Sequence, residues 1–105
     1  MSAPLRGPPG YLEFMSGQER GRRVPVAEEI TVGQSPLCGV SIAGDARLSA
    51  VHCRVRRIGD GFHLSDEGSQ TGTVVNGQRV TEVGLSGGEI IMVGRTVLRF
   101  RMGDD

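Results

Sequence analysis

The 105-residue chain is long enough for one domain with a modest core and too short for two. Its 12 basic and 12 acidic residues cancel to a formal net charge of zero, which argues against a general nucleic-acid or polyanion binder. No apolar run approaches the ~20 residues of a membrane span, and the first ten residues have no apolar signal-type stretch, so we expect a cytoplasmic protein with no membrane insertion.

Residues 1–10 hold three prolines and two glycines with little to bury, and read as a flexible leader. From residue 11 to 102 the periodicity is two, the mark of strands. Tyr11-Leu12-Glu13-Phe14-Met15 is a short strand ended by Ser16-Gly17. Arg22 to Val26 alternates, but Pro25 lacks a backbone N–H and confines it to an edge. Ile30-Thr31-Val32 runs into Gly33, and Gly39-Val40-Ser41-Ile42 is another short strand. Val51 to Ile58 alternates best, with Val51, Cys53 and Val55 on one side and His52, Arg54, Arg56 and Ile58 on the other. Gly59-Asp60-Gly61 supplies a hairpin turn into Phe62–Asp66. Thr73-Val74-Val75 leads into Asn76-Gly77, the strongest short hairpin signal in the chain. Val80 begins the next piece. Glu89 to Val93 is predicted as a buried strand, and Gly94-Arg95 turns it into the alternating Thr96–Arg101. Residues 103–105 form an acidic tail. Many short strands with turns at this spacing predict an all-β sandwich or barrel. The 17 glycines are dispersed among the turns and form no linker tract.

Cys38 and Cys53 each sit in an apolar stretch and are expected to be reduced core residues, since their spacing fits neither a disulfide framework nor a zinc site. No cluster of His, Cys, Asp or Glu has metal-ligand spacing, so no metal and no cofactor are expected. Ser49 and His52 are three apart, but a hydrolytic pair would need an orienting carboxylate and an oxyanion hole that nothing nearby supplies. The chain is therefore expected to bind and not to catalyse. His63 falls in a strand, where a surface imidazole is the plain reading. The run Gly68-Ser69-Gln70-Thr71-Gly72-Thr73 implies a sharply bent loop with exposed hydroxyls and N–H groups, able to hold a phosphate or a peptide backbone. Asp66 and Glu67 stand where acids cap such a loop.

Taken in order, the sequence has a strand ending in Gly33, then Ser49-x-x-His52. Asp66-x-Gly68-Ser69-x-x-Gly72-Thr73-x-x-Asn76-Gly77 follows, and then Leu85-x-x-Gly88-Glu89-x-Ile91-x-Val93-Gly94. This arrangement, over residues 11–102, resembles the forkhead-associated (FHA) domain. The resemblance implies a sandwich of about eleven strands in two sheets, whose apical loops bind phosphothreonine peptides. It implies that Ser49 donates to a phosphate oxygen. His52 would brace the loops without touching phosphate, with Gly33, Gly72 and Asn76 as further loop support. Gln34, Ala50, Gln70 and Thr71 fall at positions that contact the phosphopeptide in the family. Arg47 and Arg79 are further candidates, as nearby cations.

Three of these positions depart from the family pattern. Gln34 stands where an arginine is the family's main phosphate contact, Thr71 where an asparagine is usual, and Ala50 where a polar residue is common. A charge-assisted hydrogen bond contributes roughly 1.5–3 kcal/mol against about 1 for a neutral one, so Gln34 alone should lower phosphate affinity about tenfold or more. Two functions follow. One is recognition of a protein partner phosphorylated on threonine by a Ser/Thr kinase, through a degenerate phosphate site. The other is a phosphorylation-independent scaffold that assembles a complex or an oligomer, for which the Pro25 edge and the Arg54/Arg56 face offer surfaces.

Overall fold

The computed structural model describes residues 9–103, which contain eleven strands and no helix. Of the leader reading for residues 1–10 and the tail reading for residues 103–105, residues 1–8 and 104–105 lie outside the described residues, while Gly10 is in a strand and Gly103 N–H bonds Pro9 O. The strands are β1 (Gly10–Phe14), β2 (Arg23–Val26), β3 (Glu29–Gly33), β4 (Val40–Ser41), β5 (Cys53–Ile58) and β6 (Gly61–Asp66). They continue with β7 (Thr73–Val75), β8 (Gln78–Val80), β9 (Glu82–Leu85), β10 (Ile90–Val93) and β11 (Thr96–Met102). A six-stranded sheet has the order β2-β1-β11-β10-β7-β8, and a five-stranded sheet the order β4-β3-β5-β6-β9. The pairing of β3 with β4 is parallel, Val32 opposite Val40.

The period-two pattern explains why the two sheets face each other. In β11, Leu98 and Phe100 point inward while Val97 and Arg99 point out. In β5 the inward residues are Cys53 and Val55. Phe62 of one sheet meets Phe100 of the other with ring centroids 5.0 Å apart and a tilt of 58°. Such tilted pairs add to the burial of their ring area. Leu12, Leu64, Ile91 and Leu98 close the core around them. Gly10 lies against both rings, where a Cβ would come 2.8 Å from Phe62. Cys38 and Cys53 are free and buried, and burial pushes the Cys53 thiol up to about 12.

The edge position of β2 satisfies Pro25, which faces Tyr11 on its paired side. Three expectations need correcting. First, the regular strand begins at Cys53, not Val51. Val51 is 37% exposed in the preceding loop, and His52 is wholly buried instead of facing out. Second, the piece starting at Val80 is two strands, since Val80 ends β8 and β9 follows from Glu82. Third, β10 is half-buried, with Met92 46% exposed. Its alternation is masked in sequence because residues 90–93 are all apolar.

The strand directions sort the connections into two ends. The β1–β2, β3–β4, β4–β5, β6–β7 and β10–β11 connections lie at one end, called apical here, by the pairings of Gly33, Cys53, Asp66, Thr73 and Thr96. The β5–β6, β7–β8 and β9–β10 turns lie at the other, where Gly10 also pairs with Met102.

Candidate functional site

The apical site is built on a close approach of two backbones. A Cβ on Gly33 would overlap the carbonyl of Ala50, so only glycine allows β3 to pass beneath the β4–β5 loop. The contact is then zipped by Gln34 N–H to Ser49 O at 3.0 Å and Ser35 N–H to Ala50 O at 3.1 Å. His52 N–H adds a bond to Val32 O at 2.8 Å.

His52 joins the loops. Its Nδ1 accepts from Ser49 N–H at 3.2 Å, and its Nε2 lies 2.8 Å from Gly72 O. A carbonyl can only accept, so the ring proton sits on Nε2 and donates to Gly72. One fully buried imidazole thus ties the β4–β5 loop to the β6–β7 loop. Gly72 has φ +87, a conformation that costs glycine little.

The β6–β7 loop wraps around Asp66. Its carboxylate accepts from Gly68 N–H and Ser69 N–H at 3.1 Å each, from Ser69 Oγ at 2.5 Å and from Thr73 Oγ1 at 2.7 Å. Ser69 Oγ in turn accepts from Gly72 N–H at 3.0 Å. Burial raises the Asp66 pKa, but the bonds from Ser69 and Thr73 outweigh it and hold the carboxyl below its ordinary 3.8.

Ser49 and Gln70 meet directly: Ser49 Oγ accepts from Gln70 N–H at 3.1 Å. The hydroxyl proton of Ser49 has no acceptor among the described residues, so it can donate to a ligand. Thr71 spends its hydroxyl on Arg47 O at 3.0 Å. Gln34 turns its amide nitrogen toward two carbonyls of the β4–β5 loop, Ala43 O and Asp45 O, both at 3.4 Å. Ala50 presents an exposed methyl. The structure therefore brings together Gln34, Arg47, Ser49, Ala50, Gln70 and Thr71, with Gly33, His52 and Gly72 beneath them.

Two other sequence candidates are placed differently. Arg79 belongs to β8, and its guanidinium lies over Gly72, where a Cβ would come 2.7 Å from Arg79 Nε. Asn76 sits at the opposite end of β7. There its side chain accepts from Ile90 N–H at 2.9 Å and its own N–H bonds Ile90 O at 2.9 Å, so it clamps β10 and does not touch the apical loops.

Sequence reasoning missed Asp45. Its buried carboxylate accepts from Arg47 N–H at 3.0 Å, Arg95 N–H at 2.8 Å and Thr96 Oγ1 at 2.7 Å. It locks the β4–β5 loop to the β10–β11 turn. Burial raises its pKa, and the bonds from Thr96, Arg95 and Arg47 bring it below 3.8. The only signal was the Gly94-Arg95 turn: Gly94 has φ +57, and a Cβ there would come 2.8 Å from both Asp45 oxygens. A cleft of about 480 Å³ opens on the far side of this loop, between Ser16–Glu19, Ser41–Asp45 and Arg95, and includes neither Ser49 nor Thr71. Leu37 was also missed; it stands 93% exposed on the β3–β4 loop. No group of three metal-binding side chains occurs among the described residues.

Residues 13–104 match the family described as the inner membrane component of T3SS, cytoplasmic domain. No curated protein matches the chain in sequence. Among solved structures, the chain is similar to the FHA domain of an Arabidopsis thaliana hypothetical protein, with 25% identity over 100% of this chain and 94% of that one, at a TM-score of 0.88. It is similar to an FHA domain studied for phosphothreonine-dependent interactions, with 26% identity over 92% of this chain and 99% of that one, at 0.83. It also shares its fold with Mycobacterium tuberculosis EmbR in complex with a low affinity phosphopeptide, with 21% identity over 93% of this chain and 25% of that one, at 0.84.

Proposed function

The chain belongs to the family of the T3SS inner membrane component, cytoplasmic domain, and has the FHA fold; on that footing we propose that its apical loops take a threonine-phosphorylated segment of a protein partner, with Gln34 in place of the usual phosphate-contacting arginine. The supporting observation is Ser49. Its hydroxyl is fixed by Gln70 N–H at 3.1 Å and keeps its own proton for a ligand at the meeting point of three loops. The similarity to an FHA domain of phosphothreonine-dependent interactions points the same way. The protein works as a binding module in the cytoplasm, and no step of chemistry is assigned to it.

A titration with a phosphothreonine peptide and its unphosphorylated twin tests this reading. The phosphopeptide binds more tightly, Ser49→Ala removes the difference, and Gln34→Arg enlarges it about tenfold by adding one charge-assisted bond. Equal binding of the two peptides, or none, overturns it.

One observation favours a second reading, a phosphorylation-independent scaffold. The Gln34 amide is directed at the Ala43 and Asp45 carbonyls, and the Thr71 hydroxyl at Arg47 O, so donors that could meet a phosphate are engaged within the loops. Equal affinity for both peptides, unchanged by Ser49→Ala, would select it.

A further inference from the structure

The outer faces of the two sheets differ in kind. Register places Glu29 and Thr31 of β3, Arg54 and Arg56 of β5, His63 and Ser65 of β6 and Glu82 of β9 on the outside of the five-stranded sheet. Arg54 pairs there with Glu29 and Glu67, and His63 stands 3.8 Å from Glu82. That face is polar apart from Ile58 at the end of β5, and Arg54 is met by carboxylates within it.

On the six-stranded sheet the pairings Arg79↔Val74, Val74↔Met92 and Met92↔Val97 form one outward row across β8, β7, β10 and β11. Ile90 lies beside it, opposite Arg99. Three branched aliphatic side chains and Met92 thus make an apolar band over the middle of the sheet. Strands are ~4.8 Å apart, so the band is roughly 15 Å wide. Its outward charges are four arginines, Arg23, Arg79, Arg99 and Arg101, against one carboxylate, Glu13. Glu13 is taken by Arg101 at 3.1 Å. Arg79 and Arg99 border the band and have no carboxylate within ion-pair distance among the described residues. The molecule as a whole is neutral, so this excess is local.

We propose that the outer face of the six-stranded sheet is a second docking surface, which takes an acidic amphipathic helix from a partner protein. An apolar sheet face is ordinarily covered by another layer, and a helix lays its apolar stripe along such a surface. The one-signed rim selects the helix by charge: carboxylates flanking its apolar stripe meet Arg79 and Arg99, and a basic helix is repelled. A span of about 15–20 Å corresponds to a helix of roughly 10–14 residues.

The probe is a capped synthetic peptide of about 14 residues with leucines at helical spacing and glutamates elsewhere. Its controls carry lysine in place of glutamate, or serine in place of leucine. Titrated into the 15N-labelled protein, the Leu/Glu peptide shifts the amides of Val74, Ile90, Met92 and Val97 and leaves those of Ser49 and Gln70 in place. Met92→Asp and, separately, Arg99→Glu each weaken it about tenfold or more, and raised salt weakens it further. Both substitutions are on the surface, and each variant is confirmed folded by its thermal melt. Neither changes the apical phosphopeptide titration, which separates this surface from the apical one. The proposal is overturned if the Leu/Glu peptide does not bind, if the Leu/Lys peptide binds as well, if the shifts fall on the apical loops, or if both folded variants bind like the parent.

Discussion

On one side of the apical end, the β6–β7 loop is held by Asp66 and His52 through bonds of 2.5 to 3.1 Å, and His52 is fully buried. On the other, Gln34 reaches the β4–β5 loop through two contacts of 3.4 Å, and the firm anchor there is Asp45, which faces away toward the β10–β11 turn. The first side satisfies the backbone of its loop from within. The second depends on a neutral amide at a position where a guanidinium would bring charge. Shape and charge are therefore separable here: Asp66 and His52 set the shape of the loops, while the Gln34 amide brings no charge.

The largest break in this contrast is expected from His52→Ala. It opens a cavity under the site and leaves Ser49 N–H and Gly72 O unpaired, at a cost of about 3 kcal/mol. A urea midpoint that does not move would refute the bracing role.

Next comes Asp66→Asn, expected to cost about 2 kcal/mol through loss of charge-assisted bonds from Ser69 and Thr73. It carries a pH signature. The folded pKa of Asp66 lies below the ordinary 3.8, so its stabilisation is fully present above that value and is lost as pH falls through the lower folded value. Thermal melts from about pH 5 down to about pH 2 should show a shallower acid loss in Asp66→Asn, with the remaining slope due in part to Asp45, which is lowered for like reasons. Equal slopes in the two proteins would contradict the assignment.

The smallest effect belongs to Gln34→Ala. Its bonds are long and half-exposed, and stability should change by no more than about 0.5 kcal/mol. A larger loss in a denaturant titration would show that Gln34 braces its loop as firmly as His52 does.

Much of the scaffold was legible because strand patterns are local. Pro25 signalled an edge, Asn76-Gly77 a hairpin, and the Val55–Phe62–Leu64 side of β5 and β6 a core face. The family pattern read from Gly33, Ser49, His52 and Gly72 pointed to the end where the loops converge. What escaped was set by distant partners. Asp45 bonds a turn 50 residues away, which no local spacing reveals. His52 alternates in sequence with outward residues, but the chain enters β5 only at Cys53, so the imidazole is free to turn inward. The direction of the Gln34 amide depends on where the Ala43 carbonyl lies, and that follows from the folded loop alone. β9 was not separated from β8 because a single residue, Thr81, divides them.

The pairing of Gly10 with Met102, reinforced by Gly103 N–H to Pro9 O at 2.9 Å, has a mechanical consequence. The backbone enters and leaves the described fold side by side, at the pole opposite Ser49. A tether attached there acts as a handle: pulling on both strands together loads β1 and β11 as a pair, and the domain can be mounted on a larger body with its apical loops turned outward and unobstructed.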